Sequence, residues 1–430
     1  MESSLSDKSN KKYNKEFVMR ILIINSHSHS GSTGKIAFGA YNYLRQLGND
    51  VKICCRGARE DEIDDNDIIN LESNFEYYLS NIFSRVTGLL GYSNYRQTKK
   101  IYQVIESFKP DIVQLYNLHG YYINDRQLIQ HLKEKNIPAL YTMFDEYAYM
   151  GRCCFSSDCN QFQNQCGKCP MIHLYPQSCF LSWAHLIQRE KKMAYKGYDN
   201  LYFAGVKWVC ERAKSSSLLK DREIFELDEP INYEDVFFPR DTTKIKQELC
   251  IQESQKVIVM VGEAAVKRKG GIYFVELARK FEGNKDFVFV YVGYNRNDWD
   301  IPSNMITFGL IYNQDKLAEL YSLADLFVCT SLADTTPNTC LDAMGCGSPI
   351  LGFQIAGVPY CAKEPVGKFV EAENVEALAN EVAKVEKKTP EVIQRVREYA
   401  YNRFAEKNVF SKQVDIYNKI LGAKEANALS

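Results

Sequence analysis

Two carboxylates, Asp334 and Asp342, stand with seven residues between them and flank a predicted helix start. Pro337 suits the first helical position, where its missing N–H costs nothing, and Thr336 is a suitable N-cap residue. The free backbone N–H groups of such a helix start form an anion site. Because carboxylates accept hydrogen bonds from hydroxyl groups, this segment predicts a site for a sugar or ribose that is joined to phosphate.

A run of three basic residues at 267–269 follows an apolar, strand-like segment and precedes a helix-like one. This position favours a phosphate site over an ordinary solvated surface. A glycine pair, Gly31 and Gly34, also follows a predicted strand. The pair lacks the six-position spacing of a P-loop and the Ser or Thr after its lysine, which argues against nucleotide hydrolysis.

Five of the fourteen cysteines crowd into positions 153–169. Cys153, Cys159, Cys166 and Cys169 end in a Cys-x-x-Cys pair, and a glycine within the pair permits a tight turn. Four thiolates suit tetrahedral zinc, so the pattern predicts a structural zinc site. An iron–sulfur cluster ranks lower, and a set of reduced thiols in an insertion is the alternative. Cys154 is left as a spare.

The composition limits the class of protein. The 430 residues predict two domains, and 53 basic against 54 acidic side chains argue against nucleic acid as the main partner. No apolar run reaches the ~18 residues needed to span a bilayer. The polar N-terminus has no apolar core of a signal peptide. We therefore expect a cytoplasmic protein whose cysteines are thiols or metal ligands.

Short apolar runs alternate with helix-like stretches in two series. Strands are predicted at 19–25, 51–55, 111–116, 139–142 and 201–204, and again at 256–262, 287–292, 305–308, 326–329 and 349–353. This alternation is typical of doubly wound α/β domains, whose ligands bind at the carboxyl ends of the strands. Two such domains in tandem would enclose a central cleft, which both the glycine turn and the two-carboxylate segment can face.

Composition and pattern also predict the domain boundaries. Residues 1–18 are expected to be a disordered tail, 19–217 the N-terminal domain with a cysteine-rich insertion at 150–170, and 218–250 a linker. The C-terminal domain is expected at 251–405. A last helix, within 406–430, is expected to pack back on the N-terminal domain.

From residue 19 to about residue 421, the chain resembles glycosyltransferase family 4, the retaining transferases of the GT-B fold. The family's Glu-x7-Glu pattern and the Ala-Met-Ala-Cys-Gly-x-Pro after it correspond to Asp334, Asp342 and 343–349, with both acids shortened to Asp. Asn-Leu-His-Gly-Tyr-Tyr at 117–122 and the cysteine-rich insertion resemble the branch that builds colanic-acid-like exopolysaccharides and capsules.

The resemblance implies a nucleoside diphosphate sugar as donor. Asp334 would contact its hexose, Asp342 would hold the ribose hydroxyls, and backbone N–H groups near Asn338 and Thr339 would meet the diphosphate. No catalytic metal is expected, because this family stabilises the leaving diphosphate with basic side chains and helix dipoles.

Further roles follow from the same resemblance. Lys269 stands at the family's phosphate-clamping lysine. Arg268 is a candidate substitute for the customary arginine, whose own place is taken by Glu263. Gly31 and Gly34 match the glycine loop that lets donor and acceptor approach the backbone closely.

The N-terminal domain departs from the family pattern. Tyr116 and Phe144 occupy the places of two customary histidines, whereas His119 and Asp145 are present. His119, Asp145 and Asp334 are therefore the candidate catalytic residues, all three taken from the resemblance.

The implied activity is transfer of a sugar to a growing, lipid-linked saccharide in bacterial surface polysaccharide synthesis, whether exopolysaccharide, capsule or lipopolysaccharide. Two alternatives stay open. One is a nucleotide-sugar epimerase of the same fold. The other is a saccharide-binding relative without turnover, stabilised by a structural metal, which the missing histidines favour.

Residues 75–100 mix aromatic with basic side chains. Such a segment can lie on an anionic membrane surface, and this would give peripheral contact with the inner face of the cell membrane. An ordinary helix pair packed on the first domain is the reading that the sequence slightly favours.

Overall fold

Two parallel sheets organise the chain. The computed structural model describes residues 18–29, 31–57, 66–157, 159–294, 296 and 298–429. The predicted tail at 1–18 thus lies, apart from its last residue, outside the described residues. None of the helices in the described ranges is both long and apolar enough to cross a bilayer.

The first sheet has seven strands in the order β3-β2-β1-β4-β5-β6-β7, and its neighbouring strands are parallel. Its strands are β1 (Arg20–Ile24), β2 (Asp50–Cys55), β3 (Ile68–Asn70), β4 (Ile112–Leu115), β5 (Ala139–Met143), β6 (Leu201–Gly205) and β7 (Ile224–Glu226). Helices cover both faces, which explains why the central strands are continuous apolar runs.

The helices of this domain connect successive strands. They are α1 (Gly31–Gln46), α2 (Asn74–Thr87), α3 (Tyr95–Phe108), α4 (Asp125–Glu134), α5 (Ala184–Tyr195) and α6 (Lys207–Lys214). A single 3₁₀ turn at Gln161–Gln163 lies in the cysteine-rich insertion.

The second sheet has six strands, all parallel to their neighbours, in the order β10-β9-β8-β11-β12-β13. Its strands are β8 (Lys256–Val261), β9 (Phe287–Val292), β10 (Met305–Phe308), β11 (Leu326–Cys329), β12 (Ile350–Phe353) and β13 (Gly367–Val370). Its helices are α7 (Thr243–Glu248), α8 (Gly271–Lys280), α9 (Gln314–Leu323), α10 (Asn338–Gly345), α11 (Val375–Val382) and α12 (Pro390–Phe404). The predicted doubly wound α/β architecture is confirmed in both halves.

The last helix, α13 (Glu406–Leu429), joins the core of the first domain. Phe410 and Tyr417 are buried with the apolar residues of β1. The Tyr417 hydroxyl donates a hydrogen bond of 2.7 Å to the side-chain carbonyl of Gln114 on β4. The chain therefore returns to the first domain after completing the second.

One boundary differs from the prediction. β7 lies inside the segment predicted as a linker, yet it pairs in parallel with β6 and extends the first sheet. The linker prediction is wrong for this part of 218–250. A three-residue edge strand within charged sequence carries too little apolar pattern to be distinguished from a loop.

Candidate functional site

The strand order reverses between β1 and β4 in the first sheet and between β8 and β11 in the second. Doubly wound sheets bind ligands outside the carboxyl ends of the strands at such points. The loops after β4, β8 and β11 carry His119, Arg268, Lys269 and Asp334, and the helices after β1 and β11 carry further candidate residues.

In the second domain, the loops after β8 and β11 are packed directly on one another. Gly270 has a positive φ of 67°, and a Cβ there would lie 2.0 Å from the carbonyl oxygen of Thr330. The Leu332 N–H donates a 2.7 Å hydrogen bond to the Arg268 carbonyl. This close approach, which only glycine permits, brings the basic run beside the two-carboxylate segment.

Asp334 is the centre of this contact. Its buried carboxylate lies 2.6 Å from the Arg268 guanidinium and 2.9 Å from the Lys269 ammonium. Burial alone would raise the pKa of Asp334, but the charges of Lys269 and Arg268 outweigh it and hold that pKa below its usual value. Asp334 is therefore an ionised carboxylate, and the two predicted phosphate-binding side chains both lie against it.

The helix that follows begins one residue later than predicted. Pro337 is the N-cap residue of α10, not its first helical residue, and no side chain caps the helix. The Thr336 hydroxyl donates to the neighbouring Thr335 carbonyl instead, so its predicted capping role is wrong. Among the described residues, the backbone N–H groups of Asn338 and Thr339 have no hydrogen-bond acceptor. These two N–H groups therefore remain available to bind an anion, which is what an anion site at a helix start requires.

Asp342 lies in the second turn of the same helix. Burial raises the pKa of its carboxyl to about 8, although the charge of Lys35 acts in the opposite direction. Lys35 belongs to α1 of the first domain. The α1 start and the α10 start therefore face one another across the cleft.

A third acid, Glu229, was not predicted from the sequence. It is 4% exposed, and burial raises its pKa well above the usual value, with Asp334, Asp228 and Asp342 adding to the shift. Glu229 thus belongs to the same cleft as the two predicted acids. Only its place before a proline in an irregular segment marks it in the sequence, and that is no signal for a site.

In the first domain, His119 is held from both sides. Its Nε2 lies 2.5 Å from Oδ2 of Asp145, and its Nδ1 lies 3.1 Å from the hydroxyl oxygen of Tyr175. The other oxygen of Asp145 accepts a 2.8 Å hydrogen bond from the Tyr147 N–H. The structure therefore brings together the two candidate residues of this domain, and adds Tyr175, which the sequence did not indicate.

A small cavity lies at the ends of β4 and β5. Its lining includes Thr33, Asn117, His119, Phe144 and Asp145. Tyr116 and Phe144, at the two positions where the resemblance implies histidines, stack with ring centroids 5.4 Å apart. Both side chains belong to the lining of this cavity.

The two predicted glycines serve different purposes. Gly31, with a φ of 71°, is the first residue of α1, so 31–34 is a helical turn and not the predicted separate loop. A Cβ on Gly34 would come within 3.0 Å of the His29 backbone. Gly34 is therefore needed for the chain to pack on itself, whereas the space around Gly31 is open.

The two domains touch at this cleft. The Thr335 hydroxyl donates a 2.8 Å hydrogen bond to the Phe144 carbonyl. The Arg268 guanidinium lies 4.5 Å from the centre of the Phe155 ring. The loop after β11 thus contacts the residue that follows β5, and the loop after β8 contacts the cysteine-rich insertion.

Cys153, Cys159, Cys166 and Cys169 all line one cavity in the insertion. Burial, with the neighbouring cysteines, raises the pKa of Cys153 to about 12, and burial also raises the pKa of Cys166 and Cys169. Among the residues that the structure describes, no three of these sulfurs all lie within 4.8 Å of one another, so they are farther apart than the ligands of one bound zinc ion. Within the described residues, the one set of three potential ligands with atoms within 4.8 Å of one another is His119, Asp145 and Cys154.

The match to a known protein family lies in the second domain. Residues 241–403 match the family described as Glycosyl transferases group 1. This matched region contains both acids, the basic run and the α10 start.

Two of the curated relatives illustrate the similarity. The N-acetyl-alpha-D-glucosaminyl L-malate synthase of Bacillus anthracis is 27% identical over 205 residues, 44% of this chain and 52% of that protein. The chain thus spans about half the length of this relative. The putative colanic acid biosynthesis glycosyl transferase WcaC of Escherichia coli (strain K12) is 20% identical over 296 residues, 67% of this chain and 69% of that protein.

The fold is also similar to a solved structure. Anabaena Alr3699/HepE, crystallised in complex with UDP, has a TM-score of 0.64 and 11% identity, over 93% of this chain and 100% of that one. The similarity confirms the two-domain GT-B fold of the described chain.

Proposed function

We propose that this chain, whose second domain matches the Glycosyl transferases group 1 family, is a glycosyltransferase that uses a nucleoside diphosphate sugar. The observation that carries the proposal is the cluster of Lys269, Arg268 and Asp334 beside the free N–H groups of α10. Two cations and a helix start suit a diphosphate, and a carboxylate beside them suits a sugar hydroxyl.

Each group then has a defined task. Lys269, Arg268 and the N–H groups of Asn338 and Thr339 bind the diphosphate. When the bond from the anomeric carbon to the diphosphate oxygen breaks, its electron pair passes to the diphosphate, and these cations stabilise the added charge. Asp334 lies against the same cations, so its carboxylate is placed to accept a hydrogen bond from a hydroxyl group of the transferred sugar.

Asp342 is proposed to hold the ribose. It lies farther along α10 than the diphosphate-binding N–H groups. This order, with the ribose at Asp342, the diphosphate at the helix start and the sugar at Asp334, follows the order of parts along a nucleoside diphosphate sugar. A solved structure of the same fold contains UDP, and this supports a nucleotide as ligand.

The acceptor side is proposed at His119 and Asp145, across the cleft. Retention at the anomeric carbon, and a lipid-linked saccharide of a surface polysaccharide as acceptor, are proposed from the resemblance at 117–122 and from the similarity to the putative colanic acid transferase. A structural zinc would have to draw the four cysteine sulfurs closer together than they lie here, and it would then fix the insertion beside this acceptor side. The cytoplasmic location stays a prediction of the sequence.

A second candidate is a saccharide-binding protein without turnover. The observation that favours it is that both ring nitrogens of His119 are already engaged, by Asp145 and by Tyr175. Hydrolysis or transfer of a nucleotide-sugar separates the two candidates directly.

The test compares the two acids. Asp342→Ala should weaken binding of the free nucleoside diphosphate by roughly tenfold near neutral pH, because the hydrogen bond between the ribose and a carboxyl whose pKa is about 8 is lost. Asp334→Ala should leave that binding nearly intact and instead depress transfer from the complete donor. Titrations with UDP and GDP measure the binding, and a transfer or donor-hydrolysis assay with the corresponding nucleotide-sugars measures the turnover. Equal binding of the free diphosphate by the two variants would show that the proposed roles are wrong.

A further inference from the structure

Helix α2 turns its apolar side away from the protein. Its large apolar side chains follow the spacing of one helical face, and each is between 37% and 70% exposed: Phe75, Tyr78, Leu79, Ile82, Phe83 and Val86. A helix at the surface of a globular protein normally buries such a face. In this protein the fold leaves it uncovered.

The side of α2 that faces the protein is polar instead. The helix residues that are buried are Ser80 and Ser84. The Ser80 hydroxyl accepts a 2.9 Å hydrogen bond from the side chain of Asn94. The helix is therefore anchored by small polar residues, and the domain covers its apolar face only in part.

A loop from the cysteine-rich region extends this apolar surface. Phe180 is 76% exposed and Leu181 is 50% exposed. The loop is attached to the end of α2, because the Cys179 N–H donates a 2.7 Å hydrogen bond to the Arg85 carbonyl. The Trp183 indole N–H donates a second one, of 2.9 Å, to the Thr87 carbonyl. We call the exposed α2 face together with Phe180 and Leu181 the apolar platform.

Exposed basic side chains border the platform. Arg85 lies on α2 itself, and Arg96 and Lys99 lie on α3. Glu76, the acid of α2, closes a capping box with Ser73 and lies 3.9 Å from the Arg96 guanidinium. Three cations against this one acid leave the border positively charged, which complements an anionic surface.

The platform also adjoins the acceptor side of the candidate site. Tyr77, on α2, lies 6.4 Å from Tyr121, and Tyr121 lies 6.0 Å from Tyr175, measured between ring centroids. The Tyr175 hydroxyl contacts His119. Two ring-to-ring steps therefore connect the platform to the proposed acceptor residues.

We propose that the apolar platform docks on an anionic lipid bilayer, with its apolar side chains in the headgroup boundary and its basic border on the lipid phosphates. Apolar burial and basic attraction are the two contributions that hold interfacial helices on membranes. A second copy of the chain fits less well, because a twofold contact would bring the basic borders together. The docking itself does not depend on the proposed function. The further idea that docking delivers a lipid-linked acceptor to His119 rests on the proposed function.

Co-sedimentation of the full chain with vesicles tests the proposal. Vesicles of phosphatidylcholine and phosphatidylglycerol should bind the protein, and vesicles of phosphatidylcholine alone should bind it more weakly. Leu79→Glu with Ile82→Glu should lower the affinity by at least about tenfold, because two buried apolar side chains are lost. Arg85→Glu with Arg96→Glu should lower it about tenfold or more on the anionic vesicles.

The matched control is a pair of exposed apolar residues in the second domain. Leu310 is 47% exposed and Tyr312 is 86% exposed, so Leu310→Glu with Tyr312→Glu should leave vesicle binding unchanged. Nucleotide binding without vesicles checks that each variant is folded, and it reports on the proposed function separately. Vesicle binding that is absent, or equal for the platform variant and the wild type, would overturn the proposal. Self-association that the platform variant abolishes would instead identify a second copy as the occupant.

Discussion

The ammonium group of Lys269 lies 2.9 Å from one carboxylate oxygen of Asp334 and 3.1 Å from the other. One cation thus serves both oxygens of a buried acid at the edge of the cleft. If this cation also binds the diphosphate, as proposed, then Asp334 and the diphosphate share it.

Lys269→Ala should therefore weaken binding of a free nucleoside diphosphate by roughly ten- to a hundredfold, because a charge-assisted hydrogen bond to phosphate is lost. Isothermal titration measures the effect. Lys267 is exposed and belongs to the same basic run, so Lys267→Ala is the matched control and should bind like the wild type. Similar losses in both variants would mean that only general positive charge matters.

The raised pKa of Asp342 predicts a pH dependence of stability. Burial raises that pKa to about 8 from the usual 3.8, so the folded state holds the proton more tightly than the unfolded state. The free energy of unfolding should then fall as the pH rises from about 4 to about 8, with a slope of at most about 1.4 kcal/mol per pH unit from this group.

Asp342→Asn should remove this slope, which urea unfolding at a series of pH values would measure as the difference from wild type. Asp286 is an exposed acid in the same domain, and Asp286→Asn should leave the slope as it is. If the free energy of unfolding of Asp342→Asn still falls with pH as in the wild type, then another group, such as Glu229, causes the pH dependence.

The four cysteines predict about one zinc ion per chain. Elemental analysis of protein purified without added metal measures the content. Cys169→Ser should lower the zinc content and loosen the insertion while sparing the second domain, because metal binding and local folding are one equilibrium. Cys179 is an exposed cysteine of the same region, so Cys179→Ser should keep the metal. A protein that holds neither zinc nor iron would end this hypothesis.

The strands were predictable because both faces of a parallel sheet are covered. β1, β8 and β9 are continuous apolar runs, and each was predicted to within one residue at either end. The start of α10 was less predictable, since its loop is fixed by contacts outside the segment. The Gly357 N–H donates to the Asp334 carbonyl, and Thr335 donates to Phe144 of the other domain. Local capping preferences were therefore not enough to predict which of the neighbouring residues is the N-cap of α10.

Other parts of the site have no local signal at all. Tyr175 and Glu229 reach the cleft from irregular segments, and only the folded chain brings them near His119 and Asp334. The helical spacing of the apolar residues of α2 was visible in the sequence, but this spacing does not tell whether the helical face that they form is buried or exposed. The sequence therefore favoured ordinary packing, whereas the structure shows that face uncovered.

The pair formed by His119 and Asp145 leads to the last prediction. The contact of 2.5 Å joins Nε2 to the carboxylate, so the other nitrogen accepts from the Tyr175 hydroxyl. Asp145→Asn removes the charge that holds the imidazole and accepts its N–H. Transfer should fall by about a hundredfold or more, the usual size of an acid–base contribution. Binding of the free nucleoside diphosphate should stay within about twofold of wild type, because its proposed contacts are in the other domain.

Tyr175→Phe separates the two hydrogen bonds of the imidazole. This change removes only the hydroxyl and keeps the ring against His119, whose centroid lies 5.3 Å away. If Asp145 is the main partner, transfer by Tyr175→Phe should fall by no more than about tenfold, the worth of one neutral hydrogen bond. A larger loss in Tyr175→Phe than in Asp145→Asn would make the tyrosine the functional partner. Wild-type transfer in Asp145→Asn would remove the pair from the mechanism, because a carboxylate that acts on the acceptor cannot be replaced by an amide without loss.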